Sequence, residues 1–173
     1  MDRTELRAAQ TPLKERYLEE PDSALVTLSA EGSLGEGVSC SVDTGRALAE
    51  AGLHPASGGD GSQLCSGDML LEALAACAGV TLRAVATSLG IEVGEGRIRA
   101  EGDLDFRGTL AVDRDAPVGF SEIRLTFELA TDASEDEQLA TLSKLTERYC
   151  VVYQTLAGGS TLSTQVVPAR DDA

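Results

Sequence analysis

The chain of 173 residues predicts one globular domain that mixes helices with antiparallel strands. Three observations carry this. A hydrophobic content of 42 % in a chain of this length supplies a sizeable core. The stretch from Ser66 to Leu89 is a long Leu- and Ala-rich run of good helix formers closed by Gly90. The stretches from Ile91 to Phe106 and from Pro117 to Ala130 alternate apolar positions with charged or glycine ones, the period of half-exposed strands. Aromatic residues make up only 3 % and there is no Trp, so the core is assembled from Leu, Val, Ala and Ile.

In chain order, Arg3 to Glu20 places Leu6, Leu13, Tyr17 and Leu18 at helical spacing. Pro12 interrupts the pattern and Pro21-Asp22 ends it, so residues 1–21 read as a helical N-terminal extension. Ala24–Ala30 and Gly37–Val42 read as a hairpin turned at Glu31-Gly32-Ser33. Arg46 to Ala51 suits one helical turn. Gly52 to Ser62 has the most loop-like composition of the chain and fits neither the Rossmann fingerprint nor the P-loop; its glycines would let it pass close to an active-site mouth.

The central helix is expected to start at Ser66, whose hydroxyl can cap it, with Asp68 in the first turn. Its only further charges are Glu72 and Arg83, so little of its circumference prefers water and protein should enclose it. Those two charges bracket an apolar core far shorter than the roughly 20 residues of a membrane span. The two alternating stretches beyond it pair as antiparallel strands across the loop at Asp113-Arg114-Asp115. Ser134 with Glu137 is a capping box opening a helix with Leu139, Leu142, Leu145 and Tyr149 on one face. Cys150 to Leu156 continues apolar, and Thr161 to Val167 reads as a last strand. No internal repeat or linker divides the chain.

Fourteen basic residues against 29 acidic ones give a formal charge of −15, which repels phosphate backbones and anionic headgroups, so neither nucleic acid nor a membrane is expected as a partner. No apolar run follows the charges of the N-terminus, which predicts a cytoplasmic protein whose four cysteines are thiols. Those cysteines include no C-x-x-C pair and His54 is the only histidine. Neither a metal, a Ser-His-Asp triad nor a cofactor is expected.

Thiol chemistry remains. Cys77 lies mid-helix among Ala75, Ala76, Ala78 and Gly79, small enough to admit a neighbouring backbone or a substrate; the plainer reading is a small buried hydrophobe. Cys150 lies in the other strongly apolar helical stretch. A thiol that attacks peroxide must be a thiolate, which calls for a cation, a helix N-terminus or hydrogen-bond donors. The sulfenic acid it forms is best trapped by a second thiol.

Met69-Leu70-Leu71-Glu72-Ala73-Leu74-Ala75-Ala76-Cys77, then Val80-Thr81-Leu82, then Cys150-Val151-Val152, together resemble the osmotically inducible protein C and organic hydroperoxide resistance (OsmC/Ohr) family, over about Val38 to Val167. The resemblance implies an α+β fold of two long helices, the central one at about 66–89, packed on antiparallel sheets in an intertwined homodimer. It implies a thiol peroxidase in which Cys77 reduces an organic hydroperoxide, Cys150 resolves the product, and a dithiol such as a lipoylated protein supplies electrons. An arginine that activates the first thiol is also implied, with Arg46 and Arg16 as candidates. Two departures stand out. Ser66-Gly67 replaces the family's Pro-Glu, with Asp68 as the nearest carboxylate to take that role, and Cys150-Val151-Val152 replaces Cys-Pro-Val. Two other readings compete: a non-catalytic member binding a small molecule at the helix mouth, and a redox-sensing thiol protein.

Overall fold

The organising element is α1, Ser66–Leu89, a helix of 24 residues. Its N-cap is Cys65, which makes no side-chain cap bond, so Ser66 is the first helical residue rather than the cap. At the other end Gly90 turns left-handed with φ 75°, and the N–H groups of Gly90 and Ile91 donate to the carbonyls of Thr87 and Ala86 at 3.3 and 3.0 Å. That is a Schellman ending, and it is why the helix stops where the glycine stands.

The computed structural model describes residues 2–5, 8, 11, 19, 31–34, 39–43, 48–111, 113–131 and 136–166. Four strands precede or open onto α1: β1 (Glu31–Leu34), β2 (Ser39–Asp43), β3 (Leu48–Gly52) and the two-residue β4 (Leu64–Cys65). They form one sheet in sequence order, antiparallel except for the parallel β3–β4 pair. Two expectations are corrected here. Glu31-Gly32-Ser33 is strand rather than turn, and Leu48 to Ala51 is strand rather than helix, because pairing with β2 satisfies more backbone groups than one isolated turn could. The segment expected as the first hairpin strand, residues 24–30, lies outside the described residues, as does most of the N-terminal extension.

Beyond α1, β5 (Val93–Leu104) and β6 (Phe120–Thr131) pair antiparallel, as their alternation predicts, with Ile98 opposite Phe127 and Ala100 opposite Leu125. The short helix α2 (Phe106–Thr109) lies in the connection. The register shifts between Val93 and Gly96, and there the Arg83 guanidinium of α1 donates to the carbonyls of Val93 and Gly94. Gly79 lets α1 approach β5 closely, since a Cβ there would lie 3.3 Å from the Ile98 side chain.

The last helices are α3 (Asp136–Tyr149) and α4 (Val151–Gly158), both packed on α1. Leu82, Val85 and Ala86 of α1 meet Leu142 of α3 over Phe127 and Leu129. Leu74 and Ala78 meet Cys150 over Ala100, Ile123 and Leu125. Of the expected stripe on α3, Leu142 is buried and Leu145 packs against the same cluster, while Leu139 and Tyr149 are 39 % and 59 % exposed; Thr146 completes the buried face. Thr146 tolerates burial because its hydroxyl donates to the Leu142 carbonyl at 2.7 Å. Residues 161–166 carry no strand, which corrects the expected final strand.

Nor is α1 enclosed all round. By length and composition it could cross a membrane, yet its inward residues fill the core, while Leu70, Val80 and Leu89 remain exposed. Among the described residues, one layer of sheet and two helices pack against it. Leu142 joins α1 to α3 at 1 % exposure. Leu142→Ala is expected to lower stability by about 2–5 kcal/mol, read from urea unfolding; a loss below ~1 kcal/mol would mean that this junction is not part of the cooperative core.

Candidate active site

Cys150 sits at a corner. Its φ of −74° and ψ of 111° are extended, so it is the N-cap of α4 and not an interior helical residue as the sequence suggested. The chain continues the α3 face through Leu142, Thr146 and Cys150, whose N–H still donates to the Thr146 carbonyl at 2.9 Å. It then restarts, with the Gln154 N–H donating to the Cys150 carbonyl at 2.9 Å and the Gln154 side chain donating to the Glu147 carbonyl at 2.9 Å across the bend. No Pro or Gly marks this corner, which is why the run from Leu139 to Leu156 reads as continuous.

The corner is packed against α1 where Cys77 lies. Cys150 is fully buried and Cys77 half-buried, both are free thiols, and they share one cluster with Val152 and Tyr153. The structure therefore brings together the two cysteines singled out in the sequence. Burial pushes the Cys77 thiol up, but the N–H of Val152, the thiol of Cys150, the N–H of Val151 and the hydroxyl of Thr81 all donate to its sulfur and together hold it below the ordinary thiol value. Cys150 moves the opposite way. Burial raises it, and so does its neighbour Cys77, which favours the protonated donor; the Tyr153 N–H opposes this without reversing it. Of the two, Cys77 is therefore the thiol that gives up its proton more readily and Cys150 the one that keeps it.

The other candidates lie elsewhere. Asp68 is exposed, nine residues before Cys77 on the same helix and so about 13 Å away along its axis. Arg46 and Arg16 lie outside the described residues. Cys40 is on β2, opposite Leu34 and Ala51. Cys65 and Asp68 line a cleft of about 340 Å³ at the start of α1 with His54 and Phe106, whose rings stack with centroids 5.0 Å apart. The glycine-rich loop therefore borders the N-terminal end of α1, some three turns from Cys77, and not the thiol pair as expected. Among the described residues no group of His, Cys, Asp and Glu is placed to hold a metal ion. Sequence reasoning missed Thr81 and the main-chain donors of 151–153; only the spacing of four between Cys77 and Thr81 on a helix hinted at the former.

Two free thiols in one cluster, one lowered and one raised from the ordinary value, have the chemistry to pass between dithiol and disulfide. The family model for OsmC-like proteins matches residues 59–165, which include both cysteines and most of the chain. The chain belongs to the OsmC-like family. As an OsmC-like protein it is similar in fold to solved members at low identity. An OsmC-like protein from Mycoplasma pneumoniae superposes with a TM-score of 0.65 at 18 % identity, covering 78 % of this chain and 89 % of that one. The organic hydroperoxide resistance protein OhrB of Bacillus subtilis gives 0.54 at 20 % identity, covering 79 % and 94 %. An OsmC-like protein of unknown function from Vibrio cholerae gives 0.62 at 12 %, covering 76 % and 94 %. No curated protein matches the chain. The α+β class implied by the resemblance stands, with a small antiparallel sheet under the helices.

Proposed function

We propose that this OsmC-like protein is a thiol peroxidase for organic hydroperoxides, with Cys77 as the peroxidatic and Cys150 as the resolving cysteine. The observation that carries the reading is the burial of two free thiols in one cluster, with the less buried Cys77 lowered and the fully buried Cys150 raised from the ordinary thiol value. In the first step the Cys77 thiolate attacks the terminal oxygen of ROOH. The S–O bond forms, the O–O bond breaks, and the leaving alkoxide takes a proton to become ROH. In the second, the Cys150 sulfur attacks the Cys77 sulfenic acid, forming the disulfide and releasing water. A dithiol then reduces the disulfide and is itself oxidised; a lipoylated protein of the cytoplasm has the right chemistry. Family relatives named for organic hydroperoxide resistance support the choice of substrate class.

The reading is tested with the purified chain, cumene hydroperoxide and dihydrolipoamide. One cumyl alcohol per peroxide consumed is expected, and peroxide without reductant should yield a Cys77–Cys150 disulfide by peptide mapping. No consumption and no such disulfide would overturn the reading and favour a non-catalytic binding protein.

The active form is proposed to be a homodimer. The support is exposed apolar surface close in sequence to the two cysteines: Val80 of α1 is 73 % exposed, Val151 of α4 70 % and Tyr149, two residues before Val151, 59 %. A second copy would remove this apolar surface from water. Sedimentation at micromolar concentration should give the mass of two chains; a single-chain mass would count against it.

A further inference from the structure

Resting on the peroxidase reading, we propose that Cys77 reacts from within a hole of neutral hydrogen-bond donors, formed by the main-chain N–H groups of Val151 and Val152 and by the Thr81 hydroxyl, and that Val151 and Thr81 are catalytic residues of the first step.

The first N–H groups of a helix have no partner within it. In α4 the first helical bond is made by Gln154, to Cys150, so the N–H groups of Val151, Val152 and Tyr153 are free to point out of the helix start. Cys77 and Val152 both pack against the buried cluster of Leu74, Ala78 and Cys150, which stands at that helix start. The N–H groups of Val151 and Val152 serve the Cys77 sulfur, and that of Tyr153 serves Cys150. Thr81 completes the arrangement from α1 itself, one turn beyond Cys77. Helical threonines usually return their hydroxyl to the carbonyl four residues back, and Thr87, Thr146 and Thr155 do so at 2.8, 2.7 and 2.8 Å. Thr81 makes no such bond, and its hydroxyl, one turn from Cys77, is among the groups that lower that thiol.

Val151 is the informative member. Its side chain is 70 % exposed, so what it contributes to the site is its N–H. It is also the first helical residue of α4, the position where proline is most at home because its φ fits and the N–H is ordinarily dispensable. Here the N–H is not dispensable: proline would keep the helix start and delete one of the three donors. These donors transfer no proton; they lower the energy of the thiolate relative to the thiol and so set how much nucleophile exists at neutral pH.

The test is the pH dependence of Cys77 alkylation by iodoacetamide in the full reduced chain, resolved to the residue by mass spectrometry, for Val151→Pro and Thr81→Val. Val151→Ala and Thr81→Ser keep the donors and serve as controls. Val151→Pro should react about tenfold more slowly at pH 7, with its profile moved up by about one pH unit and converging on wild type in strong alkali. Thr81→Val should slow about threefold or more, and both controls should follow wild type. A Val151→Pro profile superposed on wild type, or an equal shift in Val151→Ala, would overturn the Val151 assignment. If Val151→Pro does not fold, the contrast between Thr81→Val and Thr81→Ser decides the hole: a shift in the first alone supports it, and no shift overturns it. Shifted profiles in a protein that consumes no hydroperoxide would leave the hole standing and remove the peroxidase reading.

Discussion

Replacing Cys77 by serine is expected to abolish hydroperoxide reduction, by a factor of at least about 10³, while the chain stays folded. The donors around Cys77 stabilise an anion that a thiol can form near neutrality; a serine hydroxyl lies far from ionisation there, and no hydrogen bond from an amide closes that gap. Serine is similar in size and the position is half-exposed, so the core around Leu74 and Ala78 should survive. Peroxide consumption and circular dichroism separate the two effects. Turnover close to wild type in Cys77→Ser would move the chemistry to another cysteine and end the present assignment. The same substitution has a signature in stability. The folded Cys77 thiol lies below its unfolded value of about 8.5. Its contribution is therefore fully present above that pH and lost as pH falls through the folded value. Wild type should gain on Cys77→Ser as pH rises towards 8.5, and a pH-independent difference in urea midpoint would contradict the lowering of the Cys77 thiol.

What the sequence made legible was local. The helix from Ser66 to Leu89 could be read because composition, the first-turn Asp68 and the Gly90 ending all agree, and β5 with β6 because a period of two is hard to produce otherwise. Residues 31–33 and 48–51 differ from what the sequence predicts because their strand state comes from pairing with β2, which no single segment carries. The corner at Cys150 was hidden for a related reason. Leu142, Thr146 and Cys150 keep helical spacing through the break, so periodicity runs on while the backbone does not. The cysteine pair was legible only through its resemblance to a family. The groups that tune it were not, since a main-chain N–H has no residue type and Val151 looks like any apolar residue. The loop at residues 52–62 was the reverse case, conspicuous in composition yet set, through His54, beside Phe106 and Cys65 and away from Cys77 and Cys150.

Cys150→Ser is expected to fail differently from Cys77→Ser, and the difference tests the order of the two thiols. Serine retains a hydroxyl that can donate to the Cys77 sulfur where the buried thiol now does, so the Cys77 thiolate and the first attack should persist. What is lost is the second attack. The variant should release one alcohol per chain in a burst and then stop, with dimedone trapping a sulfenic acid on Cys77. Further peroxide should carry that sulfur irreversibly to the sulfinic acid, because no neighbouring thiol converts it to a disulfide. An excess of small monothiol should restore slow turnover by attacking the sulfenic acid directly, a rescue that cannot work for Cys77→Ser. Cys150→Ala makes the comparison sharper: it removes the donor as well and leaves space in a fully buried position, so the burst itself should slow and stability should drop. Steady turnover of Cys150→Ser at the wild-type rate with dihydrolipoamide would show that the dithiol reduces Cys77 without help, and the resolving role of Cys150 would have to be given up.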